Sequence, residues 1–177
     1  MLMFGVAYPL LVVGGAQLMP TQANALPVEY EGSTIGFENL GQNFTEPKYF
    51  WGRPSAVDYN GAGSGASNHG NGNPVFLKEV EQRIQYLLRT HPEKNKSDIP
   101  IDLITASASG LDPHIKAESA YFQAKRVALA RNIPEELVNK AIKMNTAYAL
   151  GGFFGPNDYV NVLKLNLTLD KGILNEK

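Results

Sequence analysis

The chain has 177 residues and a mass of 19.3 kDa, 44% apolar and 19% charged, with a formal net charge of −1 and no cysteine. That length suits one domain with its own core, and the ordinary apolar fraction excludes global disorder. With 16 Lys and Arg against 17 Asp and Glu there is no positive excess to displace counterions from nucleic acid, and without Cys there are no disulfides, thiol nucleophiles or Cys-ligated metal centres, whichever redox compartment holds the chain.

Charge is unevenly distributed: the first 28 residues carry none, and the first basic residue is Lys48. Met1 to Met19 is apolar apart from Tyr8 and Gln17, with Pro9 and the pair Gly14-Gly15 inside it. Wound as one helix, that stretch spans about 28 Å at ~1.5 Å per residue, close to a ~30 Å hydrocarbon core, and Pro and Gly are tolerated in membrane helices. The expectation is a transmembrane helix over residues 1–22. It is preferred to a cleaved signal peptide, for which Ala23-Asn24-Ala25 offers a site but no basic n-region exists, and to a buried soluble helix. Glu29, Glu31, Glu38 and Glu46 follow before any basic residue, which under the positive-inside rule sends the remaining domain to the outer side.

Pro20 to Tyr30 reads as a membrane-exit stretch, with residues 23–32 as linker and 33–177 as the extramembrane domain. Ser33 to Gly36 and Lys48 to Trp51 are short strand candidates, β-branched or aromatic and bounded by Gly and Pro. A loop follows, taken as 57–74; between Asn60 and Pro74 it holds five Gly and four Asn, which favours turns over any regular element. Asn73-Pro74 reads as a helix N-cap and first-turn proline, and Leu77, Val80, Ile84, Leu87 and Leu88 then mark one face of a helix ending near Thr90. Ile101 to Thr105 is another strand candidate. A second helix is expected over Lys116 to Arg131 and a third from Pro134, burying Leu137, Val138, Ala141 and Ile142. From Tyr159 to Asp170, Leu163, Leu165, Leu167 and Leu169 alternate with polar residues, which favours a half-buried strand, although Leu163 and Leu167 also share a helical face. The fold class is α+β: one N-terminal transmembrane helix followed by a small mixed helix and sheet domain.

Motifs for catalysis are thin. No G-x-x-x-x-G-K-[ST] phosphate loop is present, and Gly61 to Ala66 fits G-x-G-x-x-[GA] only as a loop, because it opens no helix. His69, His91 and His114 have no metal-ligand spacing, so no metal site is expected. Ser107 or Ser109 with His114 and Asp112 could compose a hydrolase triad, giving a secreted hydrolase as the reading from another class, but no G-x-S-x-G elbow presents a nucleophile. Two aromatic pieces, Tyr49 to Pro54 and Gly151 to Pro156, have the composition of an interface anchor or of plain core.

Several strings carry a resemblance. Gly41-Gln42-Asn43-Phe44-Thr45, Tyr49 to Ala56, Gly65-Ala66-Ser67-Asn68, Thr105 to Ile115, Gln123 with Arg126-Val127-Ala128 and Ala130-Arg131, and Val160 to Leu167 resemble, in order, the small C subunit of Kdp-type potassium-transporting ATPases. Tyr8-Pro9-Leu10 and Gln22-Ala23-Asn24 are similar to that family's membrane-exit region. The resemblance implies a single-pass subunit of the bacterial inner membrane with no intrinsic cofactor and no catalytic residue of its own. Its implied partners are a potassium-translocating subunit, an ATP-hydrolysing P-type subunit and a small lipid-like subunit. The role it implies is assembly or capping of the ion entrance. Alternatively, the subunit acts as a catalytic chaperone raising ATP affinity, with ATP a ligand shared with the catalytic subunit and Gln123 its contact on this chain. Lys125 and Arg126 beside that glutamine are expected to face solvent. Partner-contact candidates are Phe44, Tyr49, Phe50, Trp51, Arg53, Ser107, Ser109 and Asp112. Family members carry a longer apolar helix ahead of Gly5-Val6-Ala7-Tyr8-Pro9, so the resemblance also implies either a misassigned or a truncated start here.

Overall fold

The computed structural model describes residues 1–19, 26–148 and 158–172, so the Ala23-Asn24-Ala25 string and the aromatic piece at 151–156 lie outside the described residues. The chain divides into two units, Met1–Asn39 and Leu40–Lys177.

In the first unit a π-wound turn, Met3–Ala7, runs into helix α1 (Tyr8–Ala16), which takes Pro9 in its first turn, where a missing N–H goes unnoticed. Its apolar side chains are exposed on every side; Leu10, Leu11, Val12 and Val13 are all more than half accessible. Of the transmembrane helix expected over 1–22, residues 20–22 lie outside the described residues, and the regular helix described is Tyr8–Ala16. The regular helix stops at Ala16, just after Gly14 and Gly15, whose backbone freedom disfavours continuation. No helix among the described residues is long and apolar enough to cross a membrane. The expected linker also contains a strand. β1 (Pro27–Tyr30) pairs antiparallel with β2 (Ser33–Phe37) through Glu31 and Gly32, whose positive φ of 50° and 78° is what a two-residue hairpin turn requires.

In the second unit Asn73 caps α2 (Pro74–Thr90) by accepting from the Val75 N–H, as the sequence predicts. Two 3₁₀ turns, Lys96–Asp98 and Ile101–Leu103, follow; the second replaces the strand expected at Ile101 to Thr105. β3 (His114–Lys116) leads directly into α3 (Ala117–Arg131), and α4 (Glu135–Asn145) precedes β4 (Thr146–Tyr148). β5 (Asp158–Asn161) is the central strand of an antiparallel sheet ordered β3-β5-β4, with Ile115 opposite Val160 and Thr146 also opposite Val160. Asn161 then caps α5 (Val162–Asp170) by accepting from the Lys164 N–H. This helix overturns the strand expected there: Val162, Leu163, Leu165, Asn166 and Leu169 are all buried, so nearly every side of it faces protein and the leucine alternation does not mark a sheet face. The core joins the sheet and helices α3, α4 and α5 around Ile115, Ala120, Val127, Val138, Ile142, Val160 and Leu165, with Phe50 inserted from the connecting segment.

Candidate functional site

The stretch from Phe44 to Arg53, read as containing a strand, joins no sheet. Its backbone is held instead by side-chain amides from the core. The Phe50 N–H donates to Asn166 Oδ1 at 2.7 Å while Asn166 Nδ2 donates to the Phe50 carbonyl at 3.1 Å. One residue on, the Trp51 N–H donates to Gln123 Oε1 at 2.9 Å and Gln123 Nε2 donates back to the Trp51 carbonyl at 3.2 Å. Each carboxamide thus stands in for the peptide group of a neighbouring strand, satisfying both backbone groups of one residue in a place where an unpaired group would be costly.

Behind Trp51 lies a buried cation. Arg126 places its guanidinium 3.6 Å from the Trp51 ring centroid and donates to Gln123 Oε1, to the carbonyls of Pro47 and Tyr49, and from Nε to His91 Nε2 at 3.1 Å. Arginine has no acceptor, so His91 Nε2 must carry the lone pair. The proton then sits on Nδ1, 2.9 Å from the Leu87 carbonyl and 3.0 Å from Thr90 Oγ1. Burial lowers the Arg126 pKa to about 10. Burial also pushes the imidazole of His91 below its ordinary value; the Leu87 carbonyl opposes this and the positive charge of Arg126 adds to it. The expectation that Arg126 faces solvent is therefore corrected: Lys125 does so, and Arg126 is 7% exposed.

A second junction pins the Gly-rich loop. Arg53 bridges to Asp112 at 3.1 Å, Ser55 Oγ donates to the Gly110 carbonyl at 2.6 Å, and the Gly65 N–H donates to the Ser109 carbonyl at 2.9 Å. Gly110, at φ 69°, has Val57 and the Gly65 carbonyl where a Cβ would be, so the 105–113 segment is seated closely on the loop. Although burial opposes its ionisation, hydrogen bonds from His114 and Arg53 hold the Asp112 carboxyl below its ordinary value. No triad forms. Asp112 and His114 lie 3.6 Å apart, but Ser109 Oγ is engaged with the Leu111 N–H, Ser107 is buried, and among the described residues neither serine bonds to His114. No group of His, Cys, Asp or Glu suited to holding a metal occurs among the described residues.

Between the Asn43–Pro54 stretch and α2 opens a cavity of about 410 Å³ lined by Phe44, Trp51, Tyr59, Tyr86, Leu87 and Leu103, with Asn43, Thr45, Gln82 and the Glu79–Arg83 pair at its polar positions. Of the partner-contact candidates, Phe44 and Trp51 meet here, and Tyr49 packs on Phe44 at a ring separation of 5.4 Å. Arg53, Ser109 and Asp112 belong to the second junction, while Phe50 and Ser107 present almost no surface, being 0% and 3% exposed. Gln123 is 0% exposed with its amide fully engaged. The sequence reading missed His91, Asn166 and the buried Asp102, which holds the start of α3 by accepting from the Lys116 N–H and the Ser119 hydroxyl. None of these stands in a motif; a polar residue inside an apolar period was the available signal.

Comparison with known proteins gives a consistent picture. Residues 1–171 match the family described as K+-transporting ATPase, c chain (KdpC). Proteins named potassium-transporting ATPase KdpC subunit are 44% identical in Caldanaerobacter subterraneus subsp. tengcongensis, covering 100% of this chain and 92% of the relative. Those in Flavobacterium johnsoniae are 46% identical over 97% and 91%, and those in Variovorax paradoxus 48% over 94% and 87%. The chain belongs to the KdpC family.

Proposed function

We propose that this KdpC-family chain is a non-catalytic subunit of a membrane-bound, ATP-driven potassium-uptake complex, and that it serves assembly of the complex and covers the ion entrance from the outer side. The observation that carries the reading is similarity to KdpC subunits along essentially the whole chain. The anchor in this reading is the N-terminal segment. A helix exposed and apolar on all sides, as α1 is, finds a suitable solvent in lipid. The missing basic residues before Lys48 favour an external domain. The partners are the potassium-translocating and ATP-hydrolysing subunits. We take Gln123 as an internal tie of the Trp51 backbone; its buried, saturated amide supports an assembly role over direct contact with ATP.

The test uses the absence of cysteine. A single Asn71→Cys substitution in the exposed loop is challenged with a membrane-impermeant maleimide in cells producing the whole complex. Labelling from the outer face, with the chain co-purifying with both larger subunits, is the expected result. Labelling only after the cytoplasmic side is opened would overturn the sidedness and return the ATP-affinity role to consideration.

A further inference from the structure

The cavity beside Trp51 has an unusual division of labour. Two of its aromatic walls have spent their polar handles internally: Trp51 Nε1 donates to the Glu46 carbonyl at 3.2 Å, and the Tyr59 hydroxyl donates to the Arg53 carbonyl. What these rings offer the cavity is carbon. Its charges are spent as well, because Arg83 pairs with Glu79 at 3.1 Å and donates to the Ile104 carbonyl at 3.0 Å. The lining is neutral and suits neither a phosphate nor a free cation. In contrast, the side chains of Asn43, Thr45, Gln82 and Tyr86 make no hydrogen bond among the described residues, although all four line the same space. Uncommitted amides and hydroxyls around an apolar interior are suited to peptide groups flanking a large side chain, and about 410 Å³ is within the range of formed ligand pockets.

We propose that this cavity receives an uncharged, extended segment of a partner subunit, which inserts one aromatic or large aliphatic side chain between Phe44 and the Trp51–Tyr86 pair, whose rings already pack together at 5.3 Å, while its peptide groups bond to Asn43, Thr45 and Gln82. The proposal rests on the subunit reading above and adds the place and chemistry of the contact. Tyr86, 44% exposed, is the open aromatic wall of the cavity, consistent with the enrichment of Tyr at interface hot spots.

The experiment places the photo-crosslinking residue p-benzoylphenylalanine at Thr45, at Gln82 or, as a control outside the cavity, at Lys125, in the full chain co-expressed with the other subunits of its complex. These positions are exposed, so the replacements disturb no core. Crosslinks from Thr45 and Gln82 but not from Lys125, mapping to an uncharged stretch of a partner subunit, are expected. Gln82→Lys, which brings an unpaired charge to the cavity, should lower co-purification of the partner by about tenfold or more with no change in the chain's own unfolding midpoint. If the unmodified chain co-purifies but the cavity positions crosslink only to lipid, to nothing or to a charged segment, the occupant is wrong and the subunit reading stands. If the unmodified chain does not co-purify with partner subunits, both fall.

Discussion

His91 sits where a second proton has no place to go. Nδ1–H already faces the Leu87 carbonyl and Thr90, Nε2 accepts from the guanidinium of Arg126, and Phe122 and Trp51 close the ring in. Protonation would put an N–H against the N–H of a buried cation. Lys94 adds a further repulsion and Glu93 a partial compensation. The folded pKa lies below the ordinary 6.5, so the unfolded chain binds the proton more readily. Stability from this residue is thus complete above about pH 6.5 and declines as pH falls toward the folded value. Between pH 7.5 and 5.5 the purified chain should lose unfolding free energy through His91. Urea titrations of the chain and of His91→Gln at both pH values check this: the variant, whatever its absolute stability, should show the smaller pH dependence. Equal dependence in the two chains would remove His91 as the cause.

At the scale of elements, the sequence was informative wherever one face of a helix meets the core and the other meets water. α2 begins and ends where its cap and apolar spacing say, and α3 and the start of α4 lie within a residue of their expected positions. Where that asymmetry is absent the pattern carries no such signal. α5 is buried on most of its circumference, so a leucine at every second position satisfied a strand pattern and a helix equally. β3 and β4 are three residues each, too short for any period to show. The Phe50–Trp51 stretch has strand-like composition, but its partners are two side-chain amides, Asn166 at a separation of 116 residues and Gln123 at 72, which no local pattern reports. Of the candidate site, the aromatic residues were legible as types; the cavity was not, because its walls come from segments far apart in the chain, Asn43 to Tyr59, α2 and Leu103. The paired clamps also carry a prediction. Gln123→Ala leaves both backbone groups of Trp51 unpaired and removes an acceptor from Arg126, at a cost of about 2–4 kcal/mol of unfolding free energy. Because Trp51 is the chain's single tryptophan, native-state emission should shift to the red with it. Asn166→Ala should destabilise comparably through Phe50 while leaving that emission closer to the parent spectrum. A Gln123→Ala chain as stable as the parent would show that the clamp is dispensable.

On the scale of the whole molecule, the division of labour between the two units is visible in the core itself. Every buried hydrophobic residue among those described lies at Phe50 or later, in the unit that begins at Leu40. The first unit contributes a bare apolar helix and a short hairpin whose strands have no fully buried residue. A two-stranded hairpin is marginal by itself in water, and a helix without a polar face cannot be soluble alone, so neither is a source of folding stability for the rest. It follows that a chain starting at Leu40 should fold as a single cooperative unit, as domains under about 150 residues generally do. It should keep its Trp51 emission and the acid sensitivity of His91. Coincident urea transitions by far-ultraviolet circular dichroism and Trp51 fluorescence are the measurement, with flotation on lipid vesicles as its counterpart: the full chain should float and the shortened one remain in solution. Non-coincident transitions, or a loss of near-ultraviolet signal in the shortened chain, would mean that residues before Leu40 help to hold the core together.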